Sequence, residues 1–365
     1  MRIMVLGAGG NAGINFCKSL DMDMQVYSLG VDVSAYGIAK CNTDDAVLLD
    51  PQLDNDTKVA TINRFIKEFE IDMVHAQPDQ EVKFLIENKD DIDAKIFDHS
   101  IVQWHTFSNK MLCQKHWATK LSLGFKCYFL KNVLENPNLF SELQQHCPTV
   151  WFRAWRGAGS KAALPMTSLE HAENWAKYWV DYKGFSIDDF MLCEFLPGKE
   201  YAVQTFWLNG KLIHSQARER VEYMFGNIMP SGQSSSPSVA RTVSDNKVYG
   251  VAHEAVRSIV ERLNNIEESS YTAVPHGIYC VDLKTNGVGE IIPTEVNYGR
   301  FFTTSDFFAY LGVNTPLEYC LTTLDSIGYY SPEQKVNSLE GEQYWIRSID
   351  REPRLVRSEE LCHRS

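Results

Sequence analysis

The stretch Gly277-Ile278-Tyr279-Cys280-Val281-Asp282-Leu283-Lys284-Thr285-Asn286-Gly287-Val288-Gly289-Glu290-Ile291-Ile292-Pro293-Thr294-Glu295-Val296-Asn297 reads as a β-hairpin, with arms at 277–285 and 290–297 and a turn near Asn286-Gly287. Asp282 and Glu295 lie on its two arms, and Asn297 shares a face with Glu295 because strand side chains alternate. The arms are otherwise apolar, carrying Ile278, Tyr279, Val281, Ile291, Ile292 and Val296. Two carboxylates on such a half-buried sheet repel each other and call for a counter-charge. A carboxylate pair with an amide oxygen is the hard-oxygen set that Mg²⁺ prefers, completed by phosphates and water. The bland alternative is a solvated acidic pair. The apolar surroundings favour the metal, and make Asp282, Glu295 and Asn297 the candidate ligands.

Working upstream, residues 190–196 read as a strand stopped by Pro197-Gly198, and 201–208 and 211–223 flank the hairpin turn Asn209-Gly210. The Gly-, Ser- and Pro-rich stretch 226–240 reads as a loop, and 246–264 as a long helix. With helices expected at 305–311 and 315–326, this part is an antiparallel sheet with helices. Arg218 and Arg220, two apart on a strand, point the same way, and Arg300 follows the acidic arm. Guanidinium groups suit phosphate and carboxylate recognition, so these three are the candidate catalytic cations. Surface ion pairs with Glu219, Glu222 or Asp306 are the structural alternative.

Further upstream a helix is expected from Ser108 to about Leu123, then a mixed segment broken at Asn136-Pro137. The strand Thr149–Trp155 runs into Gly157-Ala158-Gly159-Ser160-Lys161, and a helix capped by Ser168 extends to about Lys183. A glycine loop with a hydroxyl and a lysine can fold over phosphates, though it can equally be a solvated turn. At the front, strands at 2–6, 25–31, 46–49, 72–77 and 95–97 alternate with helices running to Leu20 and at 57–69, the pattern of a doubly wound parallel sheet. Gly7-Ala8-Gly9-Gly10-Asn11-Ala12-Gly13 is a near match to a dinucleotide fingerprint, with Asp32 placed as a ribose-binding acid. Glycines that merely let a strand turn into a close-packed helix are the competing explanation.

A chain of 365 residues fits two or three α/β modules. Its net charge of −12 argues against nucleic acid, whose phosphates need clustered Lys and Arg. Nine cysteines without any CxxC pair read as reduced thiols in a cytoplasmic protein. Residues 1–6 are too short an apolar run for a signal peptide, and no run of roughly 18 apolar residues suggests a membrane span. The histidines lack metal-ligand spacing, and none is a catalytic candidate.

In this order, the motifs over about residues 1–330 resemble the ATP-grasp superfamily, and within it one half of the carbamoyl-phosphate synthase large chain. The resemblance implies an α/β chain: a Rossmann-like domain at 1–107, an ATP-grasp small lobe with a glycine-rich lid at 108–189, and a large lobe with the Mg-ATP site at 190–330. Residues 331–365 then form a C-terminal strand, Tyr344-Trp345-Ile346-Arg347, and a polar tail. By the same resemblance, Lys110 contacts phosphate, Arg153 is the strand cation that touches the nucleotide, and Gly157, Gly159, Ser160 and Lys161 belong to the phosphate lid. Glu194-Phe195-Leu196 matches the hinge that bonds adenine, and Glu200 the acid that holds ribose hydroxyls. Two departures stand out. The family's proline after the strand cation is absent from Arg153-Ala154-Trp155, and Arg300 comes one place late in Glu295-Val296-Asn297-Tyr298-Gly299-Arg300.

The resemblance implies ATP and Mg²⁺, or Mn²⁺ in its place, as cofactors. The expected reaction activates a small-molecule carboxylate as an acyl phosphate for capture by an amine. No nucleic-acid or membrane partner is expected, and an acidic chain of this size is compatible with a homodimer. Two other readings compete: an NAD-dependent oxidoreductase built on Gly7–Gly13, and a non-catalytic nucleotide-binding protein on the same fold.

Overall fold

A computed structural model of the chain describes residues 1–157, 162–234, 236–265, 272–325, 328–348 and 351–357. The first sheet is parallel. Strands β1 (Arg2–Leu6), β2 (Tyr27–Asp32), β3 (Asp45–Leu48) and β4 (Met73–Ala76) lie in the order β3-β2-β1-β4. Both faces of β1 are covered, and Ile3, Met4 and Val5 are fully buried, as expected where crossover helices pack on each side. Those helices are α1 (Asn11–Leu20), α2 (Ala35–Ile38), α3 (Asn55–Glu68), α4 (Asp79–Glu87) and α5 (Ile101–Phe107).

The second sheet is antiparallel and small. It contains β5 (Cys127–Phe129), β6 (Val150–Ala154), β7 (Leu164–Met166) and β8 (Phe190–Glu194), in the order β5-β8-β6-β7. Helices α6 (Lys110–Lys120), α7 (Leu130–Glu135), α8 (Asn138–Leu143) and α9 (Leu169–Lys183) accompany it. Ser168 caps α9 by accepting the N–H of His171, as its sequence position suggests.

The third sheet frames the cleft. It holds β9 (Glu200–Leu208), β10 (Lys211–Tyr223), β11 (Pro237–Val243), β12 (Gly277–Thr285), β13 (Ile291–Tyr298), β14 (Lys335–Val336), β15 (Gln343–Ser348) and β16 (Arg351–Arg357). The order is β13-β12-β9-β10-β11-β15-β16, with β14 beside β10. Asn209 and Gly210 turn between β9 and β10 with φ of 48° and 84°, the positive pair a two-residue hairpin requires. One face packs Tyr201, Val203, Tyr279, Val281, Leu283 and Val296 against the apolar stripe Val248, Ala252, Ala255, Val256 and Ile259 of α10 (Asn246–Asn264). The opposite face is apolar at one end, where it meets α11 (Ser305–Tyr310) and α12 (Thr315–Leu324), and polar at the other. A small core of Met111, Phe125, Cys127, Met191, Cys193, Leu196 and Ile292 ties the second sheet to the third, leaving the polar region as a cleft between them.

Several sequence expectations change. Residues 95–97 do not form a strand; Lys95 makes a single bridge to Met73, after which the chain turns through Phe97 and His99. The second strand begins at Tyr27 rather than at residue 25, because Asp23 and Gln25 are held in a local turn. Part of the expected loop 226–240 is β-structure, since β11 pairs with β10 from Pro237 onward. The tail is not wholly irregular either: β16 pairs with β15 and extends the large sheet.

Candidate active site

Strand register, more than sequence proximity, builds the site. Opposite residues place Arg218, Ala202, Asp282 and Glu295 in one rank across β10, β9, β12 and β13. The next rank is Gln216, Gln204, Cys280 and Asn297, and on the other side Glu200 faces Lys284. Because side chains alternate, all three ranks project from one face. A bulge between Asp282 and Leu283 leaves Thr294 without a partner, and its hydroxyl donates to the Asp282 carbonyl at 3.1 Å. Bulges of this kind re-aim neighbouring side chains.

The second sheet supplies the opposite wall. A cleft is lined by Lys110, Arg153, Gly157, Glu200, Arg218, Arg220, Asp282, Glu295, Asn297 and Arg300, and also by Trp151, Arg156, Tyr223, Gln233, Ser234 and Thr303. An adjoining space is lined by Glu194, Phe195 and Leu196 with Phe125, Trp151, Gln114 and Lys284. Arg153, Glu200, Trp151, Gln233 and Thr294 border both spaces. The structure thus brings together the described members of every expected group. Gly159, Ser160 and Lys161 lie outside the described residues.

Charges in the cleft are interlocked. Glu295 accepts from Arg153, and the Lys110 ammonium lies 3.7 Å from the same carboxylate oxygen. Lys110 also donates to the Gly157 carbonyl at 2.5 Å. Burial opposes ionisation of Glu295, but Arg153 and Lys110 outweigh it and hold the carboxyl well below its usual range. Its neighbour Asp282 is pushed up to about 6, chiefly by burial, with Arg220 pulling the other way and the facing Glu295 adding to the rise. Arg220 bridges two acids, at 2.8 Å to Asp282 and 2.5 Å to Glu200. Glu200 also accepts from Tyr223 and lies 3.5 Å from the Lys284 ammonium. Burial would raise its carboxyl, but Arg220 and Lys284 prevail and lower it. Asn297 accepts from Arg300.

Each expected metal ligand therefore has a guanidinium on its oxygen. Among the described residues no three side chains of His, Cys, Asp and Glu are placed to hold a metal ion; the donor set is the two acids plus an amide. Two oxyanions facing each other across one hairpin, with an amide oxygen two residues along, fit a divalent cation better than they fit one another. The ion-pair alternatives for the arginines fail in one respect: Glu219 pairs with Arg241, not with Arg218 or Arg220. Among the described residues Arg218 makes no ion pair, and it stands over the Phe302 ring at 4.8 Å. Burial, reinforced by Arg220, lowers its guanidinium to about 9.

Among the residues the sequence reading missed, Cys280 and Lys284 were accessible in principle, since they lie two places either side of Asp282 on one strand. Trp151, two residues before Arg153, follows the same rule. Gln233 and Ser234 carry no such signal, because a loop brings them in. At the front of the chain, Asp32 accepts the Gly9 N–H at 3.1 Å and the Ser34 N–H at 3.0 Å. A Cβ on Gly9 would lie 2.2 Å from the Gly37 carbonyl oxygen, so α2 covers the glycine turn. That arrangement favours close packing over a dinucleotide.

No family model matches the chain, and no curated protein matches it. Solved structures do. The biotin carboxylase domain of 2-oxoglutarate carboxylase from Hydrogenobacter thermophilus, in complex with MgADP, ADP and bicarbonate, aligns at a TM-score of 0.66 and 13% identity, covering 95% of this chain and 74% of that one. L-amino acid ligase from Bacillus licheniformis aligns at 0.62 and 10%, covering 94% and 79%. An N5-carboxyaminoimidazole synthase from Aspergillus clavatus, in complex with ADP and 5-aminoimidazole ribonucleotide, aligns at 0.61 and 15%, covering 94% and 81%. The chain has the α/β fold of these enzymes.

Proposed function

We propose that this chain is an ATP-dependent ligase that activates a carboxylate as an acyl phosphate for capture by an amine. The observation that carries the reading is the facing pair Asp282 and Glu295, with Asn297 in the next rank, in a cleft bordered by Lys110, Arg153, Arg218, Arg220 and Arg300. A divalent cation held by the two acids and the amide would neutralise triphosphate charge. Arg153 and Arg220, now on the oxygens of Glu295 and Asp282, are the groups that would turn to the transferred phosphoryl group. The space along Glu194-Phe195-Leu196 is read as the adenine end, and Glu200 as the acid that meets the ribose. The described Gly157 and the three residues after Ala158 are read as part of the lid.

We read residues 1–107 as a Rossmann-like unit, 108–189 as the small lobe, 190–330 as the large lobe and 331–365 as a C-terminal extension; the strand order β3-β2-β1-β4 supports the first of these. The Hydrogenobacter domain is described as a dimer, and a homodimer in the cytoplasm is the assembly we infer here. No helix among the described residues is long and apolar enough to cross a membrane. The deciding experiment is a phosphate-release screen with Mg-ATP and pooled carboxylic acids and amines, with mass spectrometry of the products. Substrate-stimulated ADP and an amide product are expected. Tight NADH binding without any ATP binding would refute the proposal.

A further inference from the structure

Arg218 is 1% exposed, and its Nε and Nη1 atoms have no hydrogen-bond partner. Among the described residues no acid bonds it: Asp282, whose charge favours it through space, gives Oδ1 to Arg220, and Glu219 receives Arg241. Its charge is instead placed beside a second guanidinium, Arg220, and over the ring of Phe302. A buried guanidinium without a counter-ion is costly to fold around. Arg241, on the neighbouring strand, shows the usual solution, with two carboxylates on its guanidinium.

The side chain borders the main cleft together with Arg300, Ser234, Phe302 and Thr303, and none of these five lines the space along Glu194-Phe195-Leu196. Arg300 likewise keeps a buried Nε without a partner. We propose that Arg218, with Arg300, forms the subsite for the carboxylate of an organic acid, the group that is phosphorylated in the ligase reading on which this inference rests. The Phe302 ring stands over the Arg218 guanidinium, which borders the cleft with its Nε and Nη1 enclosed and unpartnered. A planar carboxylate that reaches a guanidinium can accept two of its hydrogens side by side. The triphosphate has its own place, at the acid pair and its cation. The substrate class is therefore a small organic acid bound by its carboxylate at the cleft wall away from the hinge.

The test uses the full chain loaded with Mg²⁺ and the non-hydrolysable analogue adenylyl imidodiphosphate. Acetate, pyruvate, succinate, L-alanine and, separately, sulfate are titrated calorimetrically into wild type, Arg218→Lys and Arg218→Met. At least one carboxylate should bind wild type, and Arg218→Met should weaken it tenfold or more while analogue affinity stays within about twofold. Arg218→Lys should fall between them. The melting temperature of ligand-free Arg218→Met should equal or exceed that of wild type, because replacing an uncompensated buried charge by an apolar chain of similar volume relieves the fold. Unchanged carboxylate affinity in Arg218→Met, tighter binding of sulfate than of carboxylate, or no carboxylate bound by an analogue-loaded wild type would each overturn the subsite. Failure of wild type to bind the analogue would instead remove the ligase reading, and this subsite with it.

Discussion

Asp306 offers a quantitative test of how charge is arranged behind the cleft. It is 0% exposed at the start of α11, and neither carboxylate oxygen has a hydrogen-bond partner. Burial pushes its carboxyl up from 3.8 to about 7, against the pull of Arg347 on β15 and Lys18 on α1. A folded-state value above the unfolded one means that the folded chain holds a proton the unfolded chain has lost. Stability therefore falls as pH rises from about 4 to about 7 and remains lost above that. Three units at roughly 1.4 kcal/mol each give about 4 kcal/mol at pH 8 and about 2 kcal/mol at pH 5. Asp306→Asn keeps the volume and removes the titration. Arg347 is not stranded by the change, because it also donates to the carbonyls of Pro237 at 2.7 Å and Thr303 at 3.2 Å. With an unfolding entropy of about 2 cal/mol/K per residue, the variant should melt about 5 °C higher at pH 8 and about half that at pH 5. Scanning fluorimetry at the two pH values reads the difference. A variant no more stable than wild type at pH 8, or a gain that does not depend on pH, would refute the reasoning.

Other outcomes follow from the site and the fold. Asp282→Ala and Glu295→Ala should each abolish ADP formation while circular dichroism still shows a folded chain, with melting lowered because Arg220, or Arg153 and Lys110, lose their acid; full turnover by either variant would contradict the metal assignment. Glu200→Gln removes the acid that holds Arg220, Tyr223 and Lys284; ATP-analogue affinity should drop about tenfold, in line with the loss of one charged hydrogen bond. Gly9→Ala places a methyl against the Gly37 carbonyl. It should lower stability by about 2 kcal/mol in urea without altering ATP-analogue affinity. A loss of nucleotide binding in that variant at a temperature where it is folded would show that the glycine turn holds a ligand after all.

The residues of this site were legible in the sequence wherever local periodicity carries the information. Alternation alone puts Glu295 and Asn297 on one face, and the Asn209-Gly210 pair announces its hairpin because few residues tolerate two successive positive φ angles. Ser168 caps its helix for an equally local reason. Such features depend on a few neighbouring residues, so the chain order suffices to determine them. Pairing across the sheet is another matter. Only the tertiary register sets Asp282 opposite Glu295, and only the neighbour relation of β9 and β10 decides that Arg220 reaches Glu200 and Asp282 while Arg218, two residues away, pairs with no acid among the described residues. Likewise Arg347, 44 residues beyond Thr303 in the chain, braces the cleft-lining loop by hydrogen bonding its carbonyl. Burial and partner choice are long-range quantities: they depend on which distant segments displace water from a side chain, and no window of sequence contains that information.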